Sequence, residues 1–415
     1  MRPIQEPRPQ GRPQAEPKDM DIMSNDAAAL RGNWNYPTSV KFGCGRIKEL
    51  ADHCKALGMK RPLLITDPGL ANLPMIKDAI ARNEAAGLKT GLFSNIQGNP
   101  TGKNVEDGIA AYKAGGHDGV IAFGGGSALD AAKAVALMIG QKRPIWDFED
   151  IGDWWTRVDP NGIAPIVGVP TTSGTGSEVG RASVITDEAH HVKKIIFHPK
   201  MLPSIVIDDP ELTVGLPPHI TAATGMDALS HCLEAYCAPG YHPLADGIAL
   251  EGMRLVKEAL PAAVKDGKNL VARANMMAAA SMGATAFQKG LGGMHAISHP
   301  LGALYNTHHG LTNAVVMPYV LEYNRSAIDE RMGRLAAYLG LPNPSFKAVL
   351  NWILALRKEI GIPHTLKDIG VDDKRVDLVA EMAAADPSAG GNPIKVGANE
   401  LRVMFVNGLE GKLAA

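Results

Sequence analysis

The chain has 415 residues, too long for one ordinary core, and its 45% hydrophobic and 20% charged residues are those of a globular protein. A formal net charge of -1 and only 5% aromatic residues argue against nucleic acid or an anionic membrane as partner. The four cysteines (Cys44, Cys54, Cys232, Cys237) form no C-x-x-C pair, which suits a reduced, cytosolic protein better than a disulfide framework.

Residues 1–30 carry Pro3, Pro7, Pro13 and Pro17 with interspersed charges and no apolar h-region, so they predict a flexible extension rather than a secretory signal. From about Trp34 to Pro210, short apolar runs alternate with helical stretches. R-P-L-L-I-T-D, G-V-I-A-F-G-G-G-S, A-P-I-V-G-V-P-T-T and S-I-V-I-D-D-P read as buried strands. Strands continuous in Val, Ile and Leu and separated by helices imply a mostly parallel sheet covered on both faces. Beyond the prolines at 210, 217 and 218 the period changes, and apolar residues recur at three- and four-residue steps to the end of the chain. The expected architecture is α/β: an N-terminal parallel-sheet nucleotide-binding domain (31–210) and a C-terminal all-helical, metal-binding and catalytic domain (211–415).

Within the first part, Gly124, Gly125, Gly126 and Ser127 follow a strand and open a helix carrying Asp130 and Lys133. Such a turn brings backbone N–H groups and a helix N-terminus to a pyrophosphate, although tight turns also use glycine triplets. Asp67, at the end of an earlier strand, is placed to accept from ribose hydroxyls and would favour NAD over NADP; the plainer reading is a turn aspartate before Pro68. P-T-T-S-G-T-G-S-E (170–178) adds a second loop dense in hydroxyls and glycines.

Within the second part, Asp227 and His231 stand four apart, as do His295 and His299, and His308 and His309 follow a turn. Residues i and i+4 share one helix face. One carboxylate with several imidazoles is a thiolate-free donor set for a divalent transition metal: Fe(II), Zn(II), Mn(II) or Ni(II).

Four motifs in this order, G-G-G-S-A-L-D-A-A-K, P-T-T-S-G-T-G-S-E, A-A-T-G-M-D-A-L-S-H-C-L-E-A-Y and H-x-x-x-H-P-L-G…H-G, make the chain similar to the iron-containing (group III) alcohol dehydrogenases from about residue 30 onward. The resemblance implies the dehydroquinate synthase-like architecture of that family. It implies a divalent metal, Fe(II) before Zn(II) or Mn(II), on Asp227, His231, His295 and His309. It further implies NAD contacts from Asp67, Asn99, Gly125, Gly126, Ser127, Asp130, Thr171, Thr172, Thr175 and Lys193, with Lys194 exchanging for Lys193 under a one-residue shift. His299 falls on the family histidine near the metal and is the candidate proton relay. A cytoplasmic homodimer or larger homo-oligomer acting on a small alcohol or aldehyde is implied in the same way.

Three positions depart from the family pattern and were candidates for the substrate pocket: His308 beside a ligand, His198 in F-H-P-K, and the F-Q-K triplet at 287–289. If Lys289 faced the cleft it would favour an anionic substrate; as a solvated lysine it would not. The expected reaction is hydride transfer between a primary alcohol or diol and NAD. The alternatives are a glycerol dehydrogenase-like enzyme or another oxidoreductase of the same fold, acting on an anionic hydroxy acid or semialdehyde. A dehydroquinate synthase-like lyase lacks the clustered basic residues its phosphorylated substrate needs, and a metal-independent maleylacetate reductase-like enzyme is at odds with the full ligand set.

Overall fold

A computed structural model describes residues 32–34, 38–190 and 192–413, with the side chains of 32–34 excepted. The expected N-terminal extension lies outside them. The strands are β1 (Gly32–Trp34), β2 (Ser39–Phe42), β3 (Pro62–Ile65), β4 (Gly91–Phe93), β5 (Gly119–Gly124), β6 (Ile166–Pro170), β7 (Ala182–Asp187), β8 (Val192–Phe197) and β9 (Ile205–Asp208). Between them run α1 (Leu50–Ala56), α2 (Pro74–Ala85), α3 (Gly102–Gly115) and α4 (Gly126–Met138). After the last strand come α5 (Pro218–Cys237), α6 (Pro243–Lys265), α7 (Leu270–Ala286), α8 (Gly293–Tyr305), α9 (His309–Tyr338), α10 (Phe346–Glu359), α11 (Val376–Ala385) and α12 (Ala398–Glu410).

The main sheet has the order β1-β2-β9-β6-β5-β3-β4, with β1 antiparallel to β2 and the other six strands parallel. Its strands are apolar at every position because both faces are covered. On β5, Val120 and Ala122 pack toward α3 and α4, while Ile121 and Phe123 pack toward α1 and α2. This is the two-residue period of a strand read against two separate cores. The four strands read from the sequence are β3, β5, β6 and β9. A separate antiparallel hairpin, β7–β8, was not expected and lies between β6 and β9 in sequence.

At the C-terminal end of β5 the chain turns sharply into α4. Gly124 takes φ 150°, and a Cβ there would stand 2.8 Å from that of Ala128, so only glycine permits this turn. Helix α4 is alanine-rich and buried from Ala128 to Met138 except at Asp130. In the helical part α5 is enclosed on all sides, buried at every position from Thr221 to Cys237. A polar residue on such a helix is desolvated wherever it points, which singles out Asp227, His231 and Glu234.

Candidate metal centre and nucleotide cleft

Asp227 and His231 project from α5, His295 from the first turn of α8, and His309 is the first residue of α9. One ligand atom from each falls within 4.8 Å of all the others. The His231 and His295 rings stack with centroids 4.7 Å apart, and His309 Nε2 lies 3.7 Å from Asp227 Oδ1. Burial pushes the His231 imidazole down to about 4, against the pull of Asp227. Burial and the neighbouring imidazoles, with Lys193, hold His309 well below its usual range. Burial also opposes charge on His295, but Glu234 and Asp227 outweigh it and raise this one imidazole. Converging imidazoles beside a carboxylate fit a divalent cation with nitrogen and oxygen ligands. The buried His231 Nδ1 has no hydrogen-bond partner among the described residues.

Three supporting residues escaped the sequence reading. Glu234 accepts from His295 Nδ1 at 2.6 Å and from the Met294 N–H at 2.6 Å. It fixes the ring so that Nε2 faces the other ligands, the arrangement common around metal-bound histidines. Its position gave a signal, since 227, 231 and 234 share one face of α5. Asn313 donates from Nδ2 to Asp227 Oδ1 at 2.9 Å and lies 3.2 Å from both His295 Nε2 and His309 Nε2. Asp386, from the segment after α11, accepts from His299 Nδ1 at 2.7 Å. His299 is outside the four-residue cluster and stacks on His309 at 5.3 Å.

The nucleotide candidates line the other wall. Gly125, Gly126 and Ser127 form the start of α4. Asp67 sits close by, at the end of β3, and its Oδ1 accepts from the Leu70 N–H at 3.1 Å, so it serves its turn as well. Thr171 N–H donates to Gly124 O at 2.9 Å, the Thr172 methyl borders Gly125, and Thr175 abuts Gly126. The two loops are therefore one surface. Asp130 differs from expectation: Oδ1 accepts from Ser177 Oγ at 2.5 Å and Oδ2 from the Val184 N–H at 2.9 Å. Its carboxylate ties α4 to the second loop and the hairpin instead of facing an open cleft.

Asn99, in a left-handed turn (φ 56°), spans the two walls. Its Oδ1 accepts from Lys193 Nζ at 2.8 Å, and its Nδ2 donates to Asn306 Oδ1 at the end of α8 at 3.0 Å. Burial pushes the Lys193 ammonium down to about 8. Lys194, on the opposite face of β8, pairs with Asp187 at 3.0 Å. Strand alternation thus places Lys193, not Lys194, at the cleft.

Of the three departures, His308, His198 and Lys289 each make a local structural contact, while Phe287 lies beside the cluster. Lys289 is turned away from the metal cluster: Nζ contacts Asp246 Oδ1 at 2.5 Å with the side chain 2% exposed. His308 caps α9, accepting from the Leu311 N–H at 3.3 Å, and His198 accepts from the Lys200 N–H at 3.1 Å beside Trp155. Of F-Q-K, Phe287 meets the cluster, its ring 5.1 Å from that of His231. Lys289→Ala should therefore leave any preference between a neutral alcohol and its ω-carboxylate unchanged. It should instead destabilise the fold by about 1–3 kcal/mol, the loss of a charged hydrogen bond, read from denaturant midpoints.

The family profile of the iron-containing alcohol dehydrogenases matches residues 37–210, and that of the family's C-terminal part matches residues 221–406. The chain belongs to the iron-containing alcohol dehydrogenase family. It is 39% identical to the 4-hydroxybutyrate dehydrogenase of Cupriavidus necator over 381 residues, 89% of this chain and 98% of that one. It is 35% identical to the NAD-dependent methanol dehydrogenase of Bacillus methanolicus over 91% of this chain and 100% of that one. Its fold matches the crystal structure of a 1,3-propanediol oxidoreductase with a TM-score of 0.85 at 35% identity, covering 89% and 97% of the two chains. The chain is accordingly an oxidoreductase of the alcohol dehydrogenase type, in a family that implies NAD(H) and a divalent metal, usually iron. No helix among the described residues is long and apolar enough to cross a membrane.

Proposed function

We propose that this protein is an NAD-dependent, metal-dependent dehydrogenase that moves a hydride between a primary alcohol or diol and NAD. Residues 31–210 would hold the dinucleotide and 211–415 the metal and substrate, acting in the cytoplasm as a homodimer or larger oligomer. The convergence of Asp227, His231, His295 and His309 opposite the two glycine-rich loops carries the reading.

Those four residues would hold the ion, with Fe(II) first and Zn(II) or Mn(II) also suited to the donors. When bound, a divalent ion supplies Lewis-acid stabilisation of negative charge on the substrate oxygen. Gly125, Gly126 and Ser127 offer the start of a helix to the pyrophosphate, and Thr171, Thr172 and Thr175 offer hydroxyls beside it. Asp67 accepts from the ribose, while Asn99 and Lys193 hold the cleft walls together around the nicotinamide end. Asp130 contributes by positioning the second loop. Phe287 walls the substrate side with an apolar ring.

His299 is the proton relay in this reading. Asp386 holds its Nδ1–H, which leaves Nε2 as the accepting atom. Asp386→Asn should lower kcat by about tenfold, the low end of effects for partners that fix a functional histidine. The KM for NAD should change less than kcat, because Asp386 reaches the nucleotide candidates only through its charge on Lys193. A variant with unchanged kcat, or His299→Ala with wild-type turnover, would exclude the relay.

The relative named for 4-hydroxybutyrate supports a second reading, an ω-hydroxy acid or its semialdehyde as substrate. NADH formation with 1,3-propanediol, 1-butanol and 4-hydroxybutyrate separates the two. The first reading requires kcat/KM to be highest for a neutral alcohol.

A further inference from the structure

At the junction between sheet and helices, away from the metal ligands, two carboxyl groups meet one hydroxyl. Ser281 Oγ, on α7, lies 2.9 Å from Glu178 Oε1 and 3.1 Å from Asp208 Oδ2. All three residues are buried, with Asp208 0% exposed. A serine hydroxyl has one hydrogen and can donate to only one carboxylate. The second contact therefore needs a proton on a carboxyl group. Asp208 is the group that needs it: its Oδ1 has no partner among the described residues, and an ionised carboxylate buried with so few donors costs several kcal/mol.

The charges around this cluster are few. Lys133 of α4 faces Glu178, but its Nζ is spent on Ser177 O at 2.9 Å, on Ala182 O, and on Asp130 at 3.4 Å. Asp209 turns the other way, toward the N–H groups of Gly45, Ile47 and Glu211. On α7 the one charged residue, Arg273, donates to Gly267 O and Thr221 Oγ1. From β6 the neighbour is Gly168, and from β2 Phe42 pairs with Asp208. Arg46, which reaches Phe42 O at 3.5 Å, pairs with Glu49 at 2.5 Å, and among the described residues no cation makes an ion pair with Asp208.

We propose that Asp208 and Glu178 hold one proton between them through Ser281, and that this singly charged pair seats the 171–177 loop on α7. Asp208 donates to Ser281 Oγ, and Ser281 donates to Glu178. Glu178 directly follows the loop, and Gly176 within it lies so close to α7 that a Cβ would stand 2.3 Å from that of Ala284. Burial, then the charge of Glu178, raises the Asp208 carboxyl well above its ordinary range, and burial raises Glu178. In the unfolded chain the same carboxyl is ordinary. The stabilisation is thus complete below the ordinary carboxylate range and is lost as pH rises through the folded value. Ionising Asp208 would set a second charge between sheet and α7 and unseat the loop. Asp208 and Glu178 are positioning residues, and their link to cofactor binding rests on the dinucleotide reading of that loop.

The test uses the full-length, metal-loaded protein. Infrared spectra at neutral pH should show a protonated-carboxyl C=O band in wild type that is missing in Asp208→Asn, whose amide mimics the protonated acid. NADH affinity, from fluorescence titration, should weaken from neutral to alkaline pH in wild type by about threefold or more beyond the change in Asp208→Asn, because Lys193, held at about 8, loses its charge in both proteins. Should that variant not fold, Glu178→Gln takes its place: Asp208 should keep its band but lose it at lower pH than in wild type, because the neighbouring charge is gone. No band difference, or the same pH dependence in both proteins, overturns the proposal. Failure to bind NADH at any pH overturns the dinucleotide reading, while the band still decides the proton.

Discussion

Asp227→Ala should abolish stoichiometric metal binding and lower kcat/KM for alcohol oxidation by at least about a thousandfold, some 4 kcal/mol of lost transition-state stabilisation. Asp227 contributes the one anionic group among four ligands, so its loss removes charge as well as a coordination site. The variant should fold. A buried carboxylate without its cation is a cost to the native state, and among the described residues only Asn313 donates to it at hydrogen-bond distance, at 2.9 Å. The metal-free variant should therefore match or exceed the melting temperature of metal-free wild type. A fall in activity with an unchanged apo melting temperature places the defect in the metal site. Retention of one metal per chain would mean that Asp227 is not a ligand.

Glu234→Gln should weaken metal binding by about 10–100-fold while leaving NADH affinity intact. Glu234 offers two acceptors to two donors, the Met294 N–H and His295 Nδ1–H. Glutamine offers one acceptor. If its oxygen stays on Met294, its NH2 faces His295 Nδ1 and drives the ring proton to Nε2, the atom needed by the metal. If it rotates, it sets its NH2 against the Met294 N–H. The first outcome loses the ligating tautomer, and the second keeps it only by opposing two N–H groups. Chelator competition with Zn(II) reads the loss; an affinity within twofold of wild type would show that Glu234 does not govern the ring.

The strands of the nucleotide part were legible because burial on two faces demands unbroken apolar runs, and β3, β5, β6 and β9 have them. The β7–β8 hairpin was not. Its β7 alternates buried with partly exposed positions, and its β8 carries Lys193 and Lys194, so a search for continuous apolar runs passed over it. Helical spacing gave Asp227–His231, and the motif series implied the four ligands that the fold draws together. Glu234 could have been found from its shared helix face. Asp386 could not, since it meets His299 across 87 positions of sequence and only the fold closes that gap. Lys289 matches neither of the two readings its sequence offered, a charge facing the cleft or a solvated lysine. Asp246, on a neighbouring helix, claims it instead.

The central claim is that a metal held by Asp227, His231, His295 and His309 sits opposite a bound nicotinamide and is required for turnover. It is tested by stripping the full-length protein with a chelator under anaerobic conditions and following NADH formation from 1,3-propanediol as Fe(II) is returned. The account predicts no activity in the stripped protein and recovery complete at one Fe(II) per chain. Undiminished NADH formation by metal-free protein would contradict it.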